Sequence, residues 1–140
     1  MTNRLSDIVV ALAFLFAATA AHGQDGPVGF QTPSKNIACQ LSTGDGQSSL
    51  RCDLLKVAAK PSRPRNCELD FGDAFEMATK GEAAPTCHGD TVADPKLPVL
   101  AYGEAWQHDG FTCRSAPSGL TCTNGTQHGF SLSRTAQKVF

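Results

Sequence analysis

Short segments in which apolar and polar residues alternate recur along most of the chain, and no stretch beyond residue 23 keeps apolar residues at helical spacing. Gly, Pro, Asp and Asn separate these segments, as is typical of turns between short strands. The pattern predicts strands over residues 36–41, 50–55, 67–71, 75–79, 99–102, 110–115, 120–123 and 129–133. Strands at this spacing favour an all-β sandwich or small barrel of antiparallel hairpins, with at most a helical turn near residues 94–97 or at the C-terminus.

The first two predicted strands can be aligned by their apolar residues. Placing Cys39 opposite Cys52 in an antiparallel hairpin brings the apolar residues of both strands to one face, because alternate strand residues point the same way. The other pairs on this face are Ile37 with Leu54 and Leu41 with Leu50. Residues 42–49 between the strands are rich in turn formers. We therefore predict a Cys39–Cys52 disulfide across this hairpin.

A second cysteine pair, Cys113 and Cys122, flanks another turn sequence. Pro117 in this turn cannot take a positive φ, which excludes a two-residue turn of the primed type. A type I turn followed by a bulge at Gly119 sets Cys113 opposite Thr123, one residue from the register that a bridge needs. A Cys113–Cys122 disulfide is expected if a second irregularity or a wider loop restores that register.

The N-terminal residues 1–23 have the pattern of a cleavable export signal. A polar start is followed by an apolar stretch at residues 8–18 and then by small residues that suit a signal peptidase. We expect cleavage after Gly23, or alternatively after Ala20, which leaves one disulfide-rich β domain at residues 24–140. The apolar stretch is shorter than the roughly 20 residues that span a bilayer, so no transmembrane anchor is expected after cleavage. An uncleaved amphipathic helix packed on the domain is the alternative.

Six cysteines behind an export signal predict disulfides, because paired thiols persist in an oxidising periplasm or outside the cell. Cys67 and Cys87 pair by elimination, although six cysteines allow fifteen connectivities. The formal net charge of −1 argues against nucleic-acid or membrane binding, which rely on a strong positive field. Basic residues within 56–65 either pair with the acidic residues within 68–76 or form an edge for an acidic partner. We expect a periplasmic or secreted monomer.

Side chains that commonly carry catalysis are sparse. The histidines that remain after signal cleavage are His88, His108 and His128, and none stands at a spacing typical of a metal-ligand pair. No Gly-x-Ser-x-Gly motif marks a catalytic serine, and the cysteine count is even. We therefore predict no metal, no cofactor and no catalytic residue. The alternative is a small hydrolase that uses His128 or Asp90 as a general base.

A recognition role is the stronger expectation. Tyr102 and Trp106 lie close to a glycine, where such aromatic residues either form a binding lip or are buried in the core. His88 and Asp90 add polar groups for binding. We expect a non-catalytic binding or interaction module of the cell envelope, with a protein or an envelope polymer as its partner. In one form of this hypothesis it inhibits an exported hydrolase, whose cleft the loop at residues 88–97 enters.

Several short motifs add a family resemblance. They are Asn36-Ile37-Ala38-Cys39, Gly89-Asp90-Thr91, Tyr102-Gly103, Gly110-Phe111-Thr112-Cys113, Gly119-Leu120-Thr121-Cys122 and His128-Gly129-Phe130. In this order the chain resembles a family of small exported bacterial proteins known only as a domain of unknown function. The resemblance covers nearly the whole mature chain. It implies export and disulfides, and it supplies no catalytic residues.

Overall fold

The structure is a computed structural model that describes residues 26–140, and the predicted export signal lies outside them. This part of the chain forms β-strands and no helix. The strands are β1 (Gly29–Gln31), β2 (Ile37–Gly44), β3 (Gln47–Leu54), β4 (Ala74–Ala78), β5 (Ala84–Pro85), β6 (Ala105–His108), β7 (Phe111–Ala116), β8 (Gly119–Thr123), β9 (Gly129–Leu132) and β10 (Gln137–Val139). Sheet 1 has the order β1-β2-β3-β4-β5 and sheet 2 the order β10-β9-β8-β7-β6. All neighbouring strands are antiparallel, so the predicted all-β fold is confirmed.

The core lies between the sheets and is built from two matching rows of side chains. In register across sheet 1 the row is Phe30, Cys39, Cys52 and Phe75, and across sheet 2 it is Trp106, Cys113, Cys122 and Phe130. The ring centroids of Phe30 and Trp106 are 5.2 Å apart, and those of Phe75 and Phe130 are 6.2 Å apart. Each row therefore has an aromatic residue on both sides of a hairpin disulfide, and the two sheets repeat one arrangement.

The disulfides are Cys39–Cys52, Cys67–Cys87 and Cys113–Cys122, with the connectivity that the sequence predicted. The sulfur atoms of Cys39, Cys52 and Cys122 lie within 4.8 Å of one another, so the two fully buried hairpin bridges pack together at the centre of the core. The third bridge is peripheral, because Cys87 is exposed. Three disulfides indicate that the chain folds in a non-reducing environment. Within residues 26–140 there is no helix of sufficient length and hydrophobicity to cross a membrane.

The predicted strand at residues 67–71 is wrong. Its contact with another strand-like segment is a single bridge between Asp70 and His88. The Arg63 side chain donates hydrogen bonds to two carbonyl oxygens of this segment and so takes acceptors that a ladder would use. Residues 71–74 therefore form no hairpin turn, because no strand lies on their N-terminal side.

The predicted strand at residues 99–102 is also wrong. Val99 forms one isolated parallel bridge to Gln31, and the chain then turns at Gly103, whose φ is +88°, to pass from sheet 1 to sheet 2. Residues 94–97 form a turn rather than a helix. The strands that the sequence pattern missed are β1, β5, β6 and β10. They are the edge strands of the two sheets and have only two to four residues, too few to show alternation.

The β7–β8 hairpin reaches its register by a route that the sequence did not predict. Its loop consists of Pro117 and Ser118, and neither has a positive φ. Cys113 nevertheless lies directly opposite Cys122, so the expected one-residue offset is wrong. Gly119 compensates with a φ of 142°, which glycine adopts far more easily than other residues. A Cβ atom on Gly119 would also lie 2.4 Å from a backbone oxygen of β9.

Asn124, after β8, connects the two sheets. Its side-chain amide donates to the carbonyl oxygens of Ala78 at 3.0 Å and Gly81 at 2.8 Å. Its Oδ1 accepts from the backbone N–H and the hydroxyl of Thr126, each at 3.0 Å. Asn124 is buried, so the Asn-Gly-Thr sequence at this position is a structural clamp.

Candidate binding site

An open cleft of about 520 Å³ lies at one end of the sandwich, where strands of both sheets terminate. Its walls are the β1–β2 turn, the residues that follow β3, the β7–β8 turn and the β9–β10 loop. We call it the end cleft. Tyr102 and Leu55 line it and remain about half exposed, at 46% and 55%. The volume lies within the range of about 300–1,000 Å³ that is typical of ligand pockets.

Hydrogen bonds from backbone and side-chain groups join the walls of the end cleft. The Asn36 side chain donates to the Lys56 carbonyl oxygen at 3.0 Å and accepts from the Lys56 N–H at 2.9 Å. The Leu55 N–H donates to the Asn36 carbonyl oxygen at 2.8 Å. From the other sheet, the Arg134 carbonyl oxygen accepts from the Ala58 N–H at 2.8 Å. The cleft is therefore held open by the fold itself.

The lining of the end cleft is positively charged. Lys35, Lys56 and Arg134 all line it, all are exposed, and none forms a salt bridge within residues 26–140. No Asp, Glu, His or Cys is among the lining residues. Three cations without a neighbouring carboxylate attract an anionic group, and the apolar side chains between them favour one that also carries an apolar part.

Lys35 adopts a backbone conformation that is unfavourable for most residues with a side chain. Its φ is +57°, in the left-handed region that glycine and asparagine usually occupy. The turn is fixed from inside, because the Lys35 N–H donates to the Thr32 carbonyl oxygen at 2.8 Å and the Ile37 N–H donates to the Thr32 hydroxyl at 3.2 Å. The fold thus holds a strained lysine at the cleft, and such strain is common at functional positions.

A second candidate site lies on the outer face of sheet 1, where a polar segment of the chain crosses the strands. The segment at residues 88–98, which we call the strap, crosses this face and is hydrogen-bonded to side chains of three strands. The Val92 carbonyl oxygen accepts from the Gln40 side chain at 2.7 Å, and the Val92 N–H donates to Asp53 at 3.0 Å. The Leu97 carbonyl oxygen accepts from the Gln31 side chain at 2.6 Å. The loop at residues 88–97, which the inhibitor hypothesis assigned to an enzyme's cleft, is part of the strap and is therefore attached to the sheet.

Arg51 anchors the start of the strap. Its Nε donates to Asp53 at 2.8 Å, and its Nη1 donates to the Asp90 carboxylate at 2.9 Å. The hydrogen bond from Arg51 lowers the pKa of Asp90 below its usual value, because the neighbouring guanidinium stabilises the carboxylate. Asp90 is therefore an ionised ion-pair partner, which makes it a poor general base.

His88 lies between two acceptors. Its Nε2 is 2.8 Å from a carboxylate oxygen of Asp73, and its Nδ1 is 2.7 Å from the Asp90 carbonyl oxygen. Both nitrogens must carry a proton to donate to both acceptors at once, so these contacts favour the imidazolium form. Burial of the ring is the largest single influence and acts to lower the pKa of His88. The hydrogen bonds to Asp73 and to the Asp90 carbonyl oxygen, with the negative charges of Asp73 and Asp53, together outweigh burial, so the pKa is raised. Both ring nitrogens are engaged with protein acceptors, which makes His88 a poor general base for a substrate.

The charges around His88 predict a pH dependence of stability. The raised pKa of His88 stabilises the fold below about pH 6.5, and this contribution is lost as the pH rises through the folded-state pKa. Desolvation of Asp73 is outweighed by its hydrogen bonds from Lys60 and His88, so the pKa of Asp73 is lowered and its contribution is lost on acidification below about pH 3.8. We expect the melting temperature of the parent protein to fall as the pH rises above about 6.5, and to change less in His88→Gln. Parallel curves for the two proteins in thermal melts would contradict this assignment.

The other candidate residues from the sequence lie elsewhere. Trp106, on edge strand β6, packs partly against the core and stacks on His108 with ring centroids 5.7 Å apart. His128 contacts the Phe140 carbonyl oxygen at 3.3 Å. Among the described residues, the Cys, His, Asp and Glu atoms close enough for three to share a metal belong to disulfide-bonded cysteines. Of the aromatic candidates, Tyr102 is the one that lines the end cleft.

Sequence reasoning did not identify the three cations of the end cleft as a group. Lys35 lies in the β1–β2 turn, Lys56 follows β3, and Arg134 lies in the β9–β10 loop. They are far apart in sequence and belong to no motif, so only the topology brings them together. A local signal exists for Lys56 alone, which belongs to a basic block of the sequence.

The fold and these sites define a small, disulfide-stapled, two-sheet β domain with a preformed basic cleft at one end. The chain belongs to the family of unknown function DUF6636, whose model matches residues 7–140. No match was found among curated proteins or among solved structures.

Proposed function

We propose that this protein is an exported, non-catalytic binding module that acts in the periplasm or outside the cell and recognises a partner protein through the end cleft. The observation that carries the proposal is the preformed cleft itself, where exposed Tyr102 and Leu55 lie beside cations that form no salt bridge within the described residues 26–140. Aromatic side chains on a rigid frame are common anchors in protein interfaces. A cleft that is fixed in advance loses little entropy on binding.

The chemistry of the polar groups supports binding over hydrolysis. The serines that line the end cleft have no histidine or carboxylate among the other lining residues to act as a base. Both nitrogens of His88 are engaged, and Asp90 is paired with Arg51. His128 contacts Phe140, and it lines neither the end cleft nor the cavity that contains His88 and Asp90.

The inhibitor form of the proposal has less geometric support. An inhibitory loop needs exposed backbone that can enter an enzyme's cleft, whereas backbone groups of Val92 and Leu97 in the strap are bonded to sheet 1. We therefore assign recognition to the end cleft.

Site-specific photo-crosslinking tests this assignment. The oxidised chain with a photoreactive phenylalanine at Tyr102 is mixed with exported proteins of the source organism, beside a control with the same group at exposed Thr121 on sheet 2. We expect a discrete adduct from position 102 only, and its loss when Leu55→Asp is added. Equal adducts from both positions, or adducts that survive Leu55→Asp, would exclude the end cleft. Turnover of a hydrolase substrate that Tyr102→Ala abolishes would replace the binding module with an enzyme.

A further inference from the structure

We infer that the ligand of the end cleft is an acidic polypeptide segment, in which carboxylates flank an apolar side chain. This inference rests on the proposed function and names the chemistry of the partner. It depends on the charge of the cleft, on its apolar lining and on the conformation of Lys35.

The charge of the cleft is local. The whole chain has a formal net charge of −1, yet the residues that line the end cleft include three cations and no carboxylate. Elsewhere in residues 26–140 Arg51 pairs with Asp53 and Lys60 with Asp73, while other basic side chains, such as Lys80, also form no salt bridge. The end cleft differs in that three cations line one cavity with no carboxylate among its lining residues. The cations of the cleft are exposed and available to an external anion.

The apolar lining distinguishes an acidic polypeptide from other polyanions. Leu55, Tyr102 and Pro117 are exposed and line the same cleft as the cations. A phosphate-rich polymer would leave these apolar groups without a partner, whereas a peptide can place an aliphatic or aromatic side chain between them. The volume of about 520 Å³ suits a few side chains and so a short linear segment.

Lys35 provides an independent reason to regard the charge as functional. Glycine would fit its φ of +57° without strain, yet the chain has a lysine there, directed by the turn to the cleft. Lys35→Gly removes one cation and relieves the backbone at the same time. This substitution therefore separates a loss of binding from a loss of stability.

Fluorescence anisotropy with a defined probe tests the inference. The probe is a fluorescein-labelled pentapeptide with a central phenylalanine and two glutamates on each side, and its control has glutamines in place of the glutamates. We expect the acidic peptide to bind, the glutamine peptide to bind at least about tenfold more weakly, and added salt to weaken the acidic peptide further.

Variants locate the interaction. Lys35→Gly should weaken the acidic peptide about two- to fivefold, and the triple variant with Lys56→Ala and Arg134→Ala about 10–100-fold, as expected for exposed ion pairs. Lys80→Gly, which removes an exposed lysine outside the cleft, should leave the affinity unchanged. The melting temperature of Lys35→Gly should equal or exceed that of the parent, which shows that the fold is intact.

The outcomes separate this inference from the proposed function. No binding of the acidic peptide up to about 1 mM, or equal binding by the triple variant, overturns the ligand chemistry. If Tyr102 still gives its specific protein adduct, the binding module survives with a different ligand. Binding of polyphosphate or anionic vesicles through the same three cations, without binding of the peptide, also overturns the inference in favour of a non-protein polyanion.

Discussion

Reduction of the three disulfides should unfold the domain completely. In the chain-entropy description each bridge contributes about 3 kcal/mol, so together they contribute about 9 kcal/mol. The total stability of a domain of this size is about 5–15 kcal/mol. The bridges Cys39–Cys52 and Cys113–Cys122 also fill the centre of the core, so their reduction disturbs packing as well as chain entropy. Because the loss of core packing adds to the loss of about 9 kcal/mol, we expect the reduced chain to be unfolded.

Far-ultraviolet circular dichroism after reduction and alkylation measures this effect. Under mild reductant we expect Cys67–Cys87 to open first, because Cys87 is exposed whereas the hairpin cysteines are fully buried. Mass spectrometry of alkylated peptides gives the order. A chelator serves as the control and should leave the melting temperature within about two degrees, since we predict that disulfides rather than a metal hold the domain. A β-sheet spectrum that persists with all six cysteines alkylated would falsify the prediction.

Local sequence determines the hairpins, and the structure follows it closely there. The Cys39–Cys52 register could be predicted because only one alignment brings the cysteines and the apolar residues of β2 and β3 to a common face. The register of the β7–β8 hairpin was harder to predict from the sequence, because it depends on the unusual φ of Gly119 and not on a pattern of apolar residues. Segments that lack a strand partner, such as residues 67–71, look β-prone in sequence but are fixed by side-chain and disulfide contacts.

The proposed binding surface was harder to predict from the sequence, because the topology brings together residues that are far apart in the chain. His88 and Asp90 stand out as candidates in the sequence, and the structure uses both in the ion-pair network that attaches the strap to sheet 1. Tyr102 was also a candidate from the sequence, but its neighbours in the end cleft come from turns far away in the chain. The positive φ of Lys35 is the reason why Lys35→Gly can remove the charge without a loss of stability. No pattern in a single sequence reveals this φ.

Among the single substitutions proposed for this domain, Phe130→Ala should cause the largest loss in the free energy of unfolding. Phe130 is fully buried, lies opposite Cys122 in the central row of sheet 2 and contacts Phe75 of sheet 1. Its removal leaves a cavity beside a disulfide that cannot shift to fill it, so we expect a loss of about 3–5 kcal/mol in the free energy of unfolding. Urea denaturation measures this loss as a lower midpoint at an unchanged m-value.

Phe140→Ala is the matched control. This phenylalanine is 43% exposed at the end of the chain, and its hydrogen bonds to Gly129 involve only backbone atoms that alanine retains. We expect its free energy of unfolding to stay within about 0.5 kcal/mol of the parent. A Phe130→Ala variant as stable as Phe140→Ala would mean that the two sheets do not depend on this contact. If such a stable Phe130→Ala variant also failed to form the photo-crosslinked adduct at position 102, Phe130 would act in recognition, because a change of stability could not account for the loss.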